Sequence, residues 1–417
     1  MGSLFREHLF PPGHPRLSGL DRLDAYSYGD AVRDAPVVAD VLRDWMKLFQ
    51  DETFRGITSD GVVIPGLFTL GADEKAPTRK AVTAAAALLE GLSPERRVEL
   101  THPLGSRVWR AWMNPEFYVN RYGLRLEELD AATRELVMQL VRASVSPQGY
   151  QTIRNVMRIN GFLGELVGLP KILNEHSYNI NLFGSPSHHR PWGWSLYGHH
   201  LALNCLFVGG QQVFTPVFLG AEPNEIDTGA HAGTTVLTEH QKAGLALIRS
   251  LPPALVDQAV LFHRKRDPDL PPGRLHPGDE LHLGGCFQDN RIIGTEGLPV
   301  ATCTPEQKEQ VLALVDLFLG YQPDGPRTAR MAEVRRHLDR TWFCWIGGTG
   351  SDDAFYYRVQ SPVIIVEFDH HAGIWLTNPE PERFHIHTLV RTPNGNDYGV
   401  ELVRQALNEP HLLDGPA

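Results

Sequence analysis

The chain has 417 residues, of which 42% are hydrophobic and 21% are charged, so its composition is that of a folded globular protein rather than a disordered one. The formal net charge of −10 argues against a nucleic-acid partner, because nucleic-acid binding requires a basic surface. No apolar stretch is long enough to span a membrane, and the first residues lack the apolar segment of a secretory signal. The four cysteines lie far apart in the sequence, which fits a reducing compartment, and we expect a cytoplasmic protein without a membrane partner.

The first half of the chain predicts mainly helices. Apolar residues recur at helical spacing from Pro36 to Phe49, and Pro36 fits the first helical position, where its missing N–H costs nothing. Ser93 followed by Pro94 indicates the start of another helix, and residues 61–66 form a candidate short strand. Further helices are predicted over residues 78–90, 126–145 and 152–167.

The second half of the chain predicts strands separated by helices. Thr238 with Gln241, and Thr304 with Gln307, match the capping-box pattern of a helix start. Glycines 209 and 210 favour a tight hairpin turn between two strands. The predicted strands are residues 178–184, 192–208, 212–219, 354–360, 362–369 and 383–391, and the predicted helices are residues 238–249, 304–319, 329–338 and 398–408.

These elements predict an α+β fold. A helical N-terminal part, residues 1–175, precedes an antiparallel β-sheet core with flanking helices, residues 176–417. We expect the two parts to form one continuous globular unit, because no linker rich in proline, glycine or serine separates them. Two blocks of strands, one with Trp194 and one with Trp345, are consistent with a duplicated β unit.

His385 and His387 are the clearest candidate metal ligands. Residues i and i+2 of a strand share one face, so both imidazoles point the same way with Ile386 opposite. Two neutral imidazole nitrogens on one face suit a single metal ion. The alternative is a pair of exposed histidines on the polar face of a strand.

Glu367 is the candidate carboxylate ligand. It interrupts residues 363–369, which are otherwise apolar on both faces, and a buried carboxylate is costly unless it is paired or binds a cation. Because this strand precedes the strand of the two histidines, Glu367 is expected as their cross-strand neighbour in a two-histidine, one-carboxylate set. The alternative is a salt bridge to Arg391 or Arg358.

A third ligand is expected from His199 or His200. As neighbours on a strand they point to opposite faces, so only one of them can join a given site. We favour His200 as the ligand, because it is in phase with Ala202 and Asn204 on the more polar face. His199 is then expected to line the pocket, to orient a ligand by hydrogen bonding, or to transfer protons during catalysis.

The other histidine doublets are weaker candidates. Residues 188–189 lie between two prolines and predict an exposed loop. His370 and His371 precede Ala-Gly, so a strand end or a turn is expected there. Asp369 is in phase with Glu367 and is a candidate for a further oxygen ligand.

The segment after His387 contains three candidate catalytic residues. Arg391 lies four residues further along the same strand face, where a guanidinium group can clamp a substrate carboxylate with two hydrogen bonds. Its alternative role is to neutralise Glu367. Asp397 is either catalytic or the N-cap of the last helix, and Tyr398 is a candidate for proton transfer.

Seven short motifs together resemble a known family. From about Tyr178 to Gln405 the chain is similar to a large bacterial and fungal family that is catalogued only as a domain of unknown function. The resemblance implies no activity, and the doublets at residues 188–189 and 370–371 do not belong to its pattern. The motifs are Trp192-Gly193-Trp194, Gly198-His199-His200-Leu201, Thr215-Pro216, Gly220-Ala221-Glu222-Pro223, Val366-Glu367-Phe368-Asp369, His385-Ile386-His387 and Asn396-Asp397-Tyr398-Gly399.

The sequence therefore predicts a metal-dependent enzyme that acts on a small organic molecule. Its mononuclear site is expected to contain His200, Glu367, His385 and His387 around one transition metal ion, which is Fe, Cu, Mn or Zn. The leading interpretation is an oxygen-dependent oxidoreductase, because such a set on strands resembles a cupin-type oxygenase site. The alternatives are a zinc-dependent hydrolase with Glu367 as general base and a non-catalytic metal- or ligand-binding protein.

Overall fold

The computed structural model describes residues 3–71 and 73–408 of the chain. Its α-helices are α1 (Ala25–Arg33), α2 (Pro36–Asp51), α3 (Thr78–Gly91), α4 (Pro94–Leu100), α5 (Ala131–Ser144), α6 (Pro147–Val167), α7 (Thr238–Ser250), α8 (Pro253–Ala259), α9 (Pro305–Phe318), α10 (Asp324–Arg336) and α11 (Val400–Leu407). Its strands are β1 (Thr101–His102), β2 (Leu124–Arg125), β3 (Tyr178–Phe183), β4 (Trp192–Gly198), β5 (Leu201–Val208), β6 (Gln211–Ala221), β7 (Val260–Phe262), β8 (Leu298–Pro299), β9 (Trp342–Gly347), β10 (Phe355–Gln360), β11 (Ile365–His371) and β12 (Glu382–Arg391). Within these residues, no helix combines the length and the apolar character needed to cross a membrane.

Five helices, α2, α3, α7, α9 and α11, begin and end within two residues of the positions that the sequence predicts, whereas α5, α6 and α10 each begin five residues away from the predicted start. The four periodic segments of the first half correspond to α2, α3, α5 and α6. At α9 the capping box is confirmed, because the side chains of Thr304 and Gln307 each accept a hydrogen bond from the other's backbone N–H. The capping box predicted at Thr238 is wrong, since Leu237 is the N-cap of α7 and has a φ of 59°. The candidate strand at residues 61–66 is irregular backbone.

The described strands form one mixed sheet of twelve strands. Its centre consists of two antiparallel meanders of four strands each, β3 to β6 and β9 to β12, which are joined side by side through β6 and β12. The two strand blocks of the sequence are these two meanders. The short strands β1 and β2 from the helical N-terminal part both pair with β3. The predicted α+β fold is confirmed, and the parallel pairs of the sheet lie near its ends, at β1 with β3 and β7 with β9.

The two faces of the central sheet bury different kinds of side chain. On β12, Ile386 and Val390 belong to the larger apolar core, which also contains residues of α3, α5, α6 and α9. Because side chains alternate along a strand, His385, His387 and Arg391 point to the opposite face. That face packs against a second core that includes residues of α2 and α11. Polar side chains on this face are therefore shielded from water and need partners within the protein.

A buried ionic network holds the end of β12. Nη2 of Arg391 donates to Oδ1 of Asp289 at 2.7 Å, and its Nε lies 2.9 Å from Oδ2 of Asp397. Asp289 also binds Arg110 through Oδ2 and accepts a hydrogen bond from the hydroxyl of Tyr398, both at 2.9 Å. Burial alone would raise the pKa of Asp289, but the two guanidinium groups outweigh it and hold that pKa below its ordinary value. Asp289 is therefore charged at neutral pH.

This network corrects two predictions from the sequence. Arg391 does not neutralise Glu367, because its guanidinium group is engaged by two aspartates. Asp397 does not cap the last helix, since Gly399 occupies the N-cap position of α11. Oδ1 of Asp397 instead accepts the backbone N–H of Thr392 at 2.7 Å. Both charged side chains thus fasten the end of β12 to the segment that leads into α11.

We expect Arg391→Ala to destabilise the protein strongly. The change leaves Asp397 without its buried counter-ion and removes one of the two arginines that bind Asp289, which costs about 3–5 kcal/mol of the free energy of unfolding. Urea denaturation followed by circular dichroism measures this loss. The matched control is Arg335→Ala, which removes an exposed ion pair with Glu309 and should change stability little. A loss no larger than that of the control would refute the structural role of Arg391.

Candidate metal centre

His199 and His200 form the tight turn between β4 and β5. Gly198 pairs with Leu201, so these two histidines are the whole loop of a two-residue hairpin. His200, the second of the two turn residues, has a φ of 62°, in the left-handed region that some tight turns adopt at this position. The prediction of one strand over residues 192–208 is therefore wrong at this point. The two rings do not point to opposite faces but stack on each other, with their centroids 3.9 Å apart.

The turn brings His200 to the two histidines of β12. One ring nitrogen from each of His200, His385 and His387 lies within 4.8 Å of the other two, and all three side chains are buried. The ring centroids are 4.9 Å apart for the β12 pair, and 5.3 Å and 5.0 Å from His200 to His385 and His387. We call these three side chains the histidine triad. The structure thus groups three of the four residues that the sequence suggests as ligands.

Gly220 on β6 provides the space in which the triad forms. It lies directly opposite His387 in the pairing of β6 with β12, and its N–H donates to the carbonyl oxygen of His200 at 2.8 Å. A Cβ atom at this position would lie 2.8 Å from Cδ2 of His387 and 2.9 Å from Cδ2 of His200. Both distances are shorter than van der Waals contact, so any larger residue would displace two of the three rings.

Hydrogen bonding determines which nitrogen of His385 has a free lone pair. Its Nδ1 lies 2.8 Å from the carbonyl oxygen of Ala372, which can only accept, so Nδ1 carries the proton. Its Nε2 therefore presents a lone pair, 3.1 Å from Nε2 of His387. Burial lowers the pKa of His385 to about 4, and burial followed by repulsion from neighbouring histidines holds the pKa of His200 and His387 well below the ordinary value. Neutral imidazole is the form that binds metal ions.

Glu367, the fourth predicted ligand, lies outside the triad and has other partners. Its carboxylate accepts the backbone N–H groups of residues 283–284 at 2.9 Å and 2.8 Å and the hydroxyl of Tyr356 at 2.6 Å. In the pairing of β11 with β12, Asp369 rather than Glu367 is opposite His387. The expected cross-strand contact is therefore displaced by two residues along β11. The charge of Glu367 is stabilised instead by the guanidinium group of Arg358, on the neighbouring strand, and by these three hydrogen bonds.

His371 lies against the triad, at the strand end that the sequence indicated. It is the last residue of β11, is 4% exposed, and its ring centroid is 3.7 Å from that of His387 and 5.3 Å from that of His385. Asp369, a candidate oxygen ligand, forms a buried ion pair with Lys265 and lies 3.3 Å from Nε2 of His371. The alternation that puts residues 367, 369 and 371 on one face is the signal that would have placed His371 here.

His282 is a buried histidine that the sequence did not single out. It is 1% exposed, and neither of its ring nitrogens has a hydrogen-bond partner. Its ring centroid lies 6.2 Å from that of His387 and 6.1 Å from that of His371. It lies in an irregular segment, where no periodicity marks the direction of a side chain. His282 therefore extends the group of buried histidines beyond the triad.

Glu222 follows β6 and is buried beside the triad. Its Oε1 accepts the three successive backbone N–H groups of residues 374–376, at 2.8 to 3.1 Å. The same oxygen lies 3.8 Å from Nδ1 of His385, and Oε2 has no hydrogen-bond partner. Burial raises the pKa of Glu222 to about 8, although the three N–H groups act against this shift. The carboxyl group thus connects β6 with the loop between β11 and β12.

The triad lines a cavity of about 460 Å³, a volume typical of small-molecule sites. His199 also lines it, with Nδ1 held 2.8 Å from Oδ1 of Asn160, and so does His371. Two acidic residues, Glu116 and Glu280, line the same cavity. Much of the remaining wall is apolar and consists of Val32, Val37, Val38, Val41, Phe117 and Ile374.

The other predicted site residues lie elsewhere. Arg391, Asp397 and Tyr398 are not among the residues that line this cavity. The hydroxyl of Tyr398 accepts a hydrogen bond from Nε1 of Trp112 at 2.9 Å within the ionic network of β12. The catalytic roles expected for these three residues are therefore not supported by their positions. His188 is exposed in a loop, as the sequence predicts.

Comparison with known proteins identifies a family but no characterised relative. No curated protein and no solved structure matches this chain. The model of one family, described as protein of unknown function (DUF3500), matches residues 74–400. This range contains the hairpin histidines, the Gly220-Ala221-Glu222-Pro223 segment and β12, and it is most of the chain. The chain therefore belongs to the DUF3500 family.

Proposed function

We propose that this protein is a metal-dependent enzyme that binds one transition metal ion at the histidine triad and acts on a small organic molecule. The observation that carries the proposal is the convergence of three buried imidazoles on the wall of a cavity. The contact between Nε2 of His385 and Nε2 of His387 supports it further. In the absence of an ion, Nε2–H of His387 can donate to Nε2 of His385; a cation bound by both nitrogens would take the place of this hydrogen bond.

The ligand set narrows the choice of metal ion. Imidazole nitrogens suit zinc, copper and iron, whereas manganese prefers sites with carboxylate oxygens. Because the oxygens of Glu367 are engaged elsewhere, the triad offers nitrogen ligands alone. Iron, copper and zinc are therefore better candidates than manganese.

Oxygen-dependent oxidation is the first candidate reaction. Three protein ligands leave coordination positions for substrate and dioxygen, as in oxygenases with three-residue iron sites. Bound iron or copper would supply the redox chemistry, and the valine-rich wall of the cavity would bind an apolar substrate and exclude water. Serine, cysteine and lysine, three common covalent nucleophiles, do not occur among the described residues of the cavity wall.

Zinc-dependent hydrolysis is the second candidate, and Glu280 favours it. Glu280 lines the cavity together with His385 and His387, and its Oε2 has no hydrogen-bond partner, although Lys265 lies 3.5 Å away. Zinc held by three protein ligands lowers the pKa of a bound water, and a nearby carboxylate serves as general base. In this candidate reaction, Glu280 acts as the general base in place of Glu367.

Metal analysis of the purified protein tests the proposed site. Protein produced without a histidine tag should contain one Fe, Cu or Zn ion per chain, as measured by inductively coupled plasma mass spectrometry. His387→Ala should lose most of this metal, because it removes one of three ligands. His188→Ala is the matched control and should retain the metal, since His188 is an exposed loop residue.

The outcome separates the candidate functions. Full metal content in His387→Ala would contradict the site. Fe or Cu with a visible spectrum that changes on reduction favours oxidation, whereas Zn favours hydrolysis. X-ray absorption spectra that show four or more protein ligands around the ion would indicate a saturated structural site, which is the non-catalytic alternative.

Gly220→Ala should weaken metal binding although it changes no ligand. The new methyl group would lie within 3 Å of the rings of both His200 and His387, so the rings must move apart. Disturbed ligand orientation lowers metal affinity by roughly 10–100-fold. Competition with a chromophoric chelator measures the affinity. Gly294→Ala, at a glycine with open space around it, is the control, and equal affinities of the two variants would contradict the role of Gly220.

A further inference from the structure

We infer that Glu222 is a positioning residue of the metal site, because it anchors the loop that orients His385. The inference rests on the metal site proposed above and deepens it. The loop comprises residues 372–381 and connects β11 to β12. Glu222 itself belongs to the segment Gly220-Ala221-Glu222-Pro223, which contains no member of the triad.

The anchor is a single oxygen atom. Oε1 of Glu222 accepts hydrogen bonds from the N–H groups of Ile374, Trp375 and Leu376, at 2.8, 3.0 and 3.1 Å. Successive N–H groups that converge in this way form a concave site for a partly negative oxygen. The Glu222 side chain is fully buried, so bulk water does not compete with it as the acceptor. The conformation of this part of the loop therefore depends on Glu222.

Glu222 is itself fixed relative to the ligands of β12. The preceding residue, Ala221, pairs with Ile386, which lies between His385 and His387. The position of the anchoring oxygen is thus set by the same strand pairing that positions two triad residues. The loop is held against β12 and not only connected to it.

The anchored loop in turn orients His385. The carbonyl oxygen of Ala372, two residues before the first anchored N–H, accepts the Nδ1–H of His385 at 2.8 Å. A hydrogen bond to the second ring nitrogen fixes the tautomer and the ring orientation of a metal-binding histidine. The loop also contributes Ile374 to the wall of the cavity. One carboxyl group therefore supports both a ligand and the surface that faces the substrate.

The surroundings of Glu222 indicate that it positions the loop and His385 and does not serve as the counter-ion of a basic side chain. Among the described residues, Glu222 forms no ion pair with a lysine or an arginine, and its Oε1 lies 3.8 Å from Nδ1 of the neutral His385. The buried carboxylates of Asp289 and Asp369, in contrast, each bind a basic side chain. The contacts of Glu222 are directed to the loop and the triad.

The first test uses the metal-free protein. In Glu222→Ala, hydrogen exchange of the amides of residues 374–376 should become faster, because their acceptor is gone. The imidazole nitrogen resonances of His385 should change from one tautomer, with the proton on Nδ1, to a mixture of two. Glu222→Gln should behave like the wild type, since its amide oxygen can still accept the three N–H groups. Glu380→Ala is the control, because Glu380 is an exposed glutamate of the same loop.

The second test titrates each variant with Co²⁺ and follows the visible absorption of the bound ion. Glu222→Ala should bind Co²⁺ roughly 10–100-fold more weakly than the wild type. Glu222→Gln and Glu380→Ala should bind it as the wild type does. If Glu222→Ala does not fold, Glu222→Asp replaces it, because the shorter side chain withdraws the oxygen from the loop without removing the carboxyl group.

The two tests distinguish the inference from the proposed function. Unchanged amide exchange, an unchanged His385 tautomer and unchanged Co²⁺ affinity in Glu222→Ala would overturn the positioning role and leave the metal site intact. A wild-type protein that binds neither Co²⁺ nor any other transition metal would overturn the proposed function. The exchange and tautomer measurements would then still decide whether Glu222 holds the loop and His385.

Discussion

The close approach of β6 and β12 at Gly220 is the constraint on which the candidate metal centre depends. The two meanders of the sheet meet along these strands, and the triad takes ligands from both of them. His200 belongs to a turn of the first meander, whereas His385 and His387 belong to the last strand of the second. Their rings share the space above Gly220, which a single methyl group would fill. The triad can therefore form because the two meanders are joined at this point and because Gly220, which lies beside the rings, has no side chain.

The triad differs from the other buried polar groups on the same face of the sheet. Glu367 accepts three hydrogen bonds, Asp369 binds Lys265, and Asp289 binds two arginines. These groups are compensated within the protein, as buried charges must be. In the triad, by contrast, ring nitrogens face each other, and Nδ1 of His387 has no partner. Partners within the protein thus account for these three carboxylates, whereas the grouping of three imidazoles in the triad is the feature on which the proposed metal site rests.

Local patterns were sufficient to predict many elements and part of the site. Apolar periodicity predicted the main helices, and the i, i+2 spacing of His385 and His387 correctly indicated a shared strand face. Periodicity could not predict the conformation of His200, because its positive φ arises from a two-residue turn inside an apparently continuous apolar run. It also could not predict the register of β11 against β12, which shifts at His370 and His371. An error of two residues in the predicted register is enough to place Glu367 beside the histidines, where the structure has Asp369.

The partners of Arg391 could not be predicted for a related reason. Its partner Asp289 lies 102 residues earlier, in an irregular segment that carries no periodic signal. Strand alternation gave the direction of the arginine correctly but contained no information on what packs against that face. Such long-range pairs depend on how irregular segments cover the sheet, and this is decided by the whole fold.

The segment Gly220-Ala221-Glu222-Pro223 shows how a site can depend on residues that bind nothing themselves. Gly220 holds the backbone of His200 through its N–H and leaves room for the ring of His387. Ala221 pairs with Ile386, between the two triad histidines of β12. Glu222 holds the loop whose carbonyl oxygen orients His385. Three consecutive residues therefore act on all three imidazoles, each through a different physical means: absence of a side chain, strand pairing and hydrogen bonding. A search that considers only ligand-type side chains would find the triad but would miss the segment that assembles it.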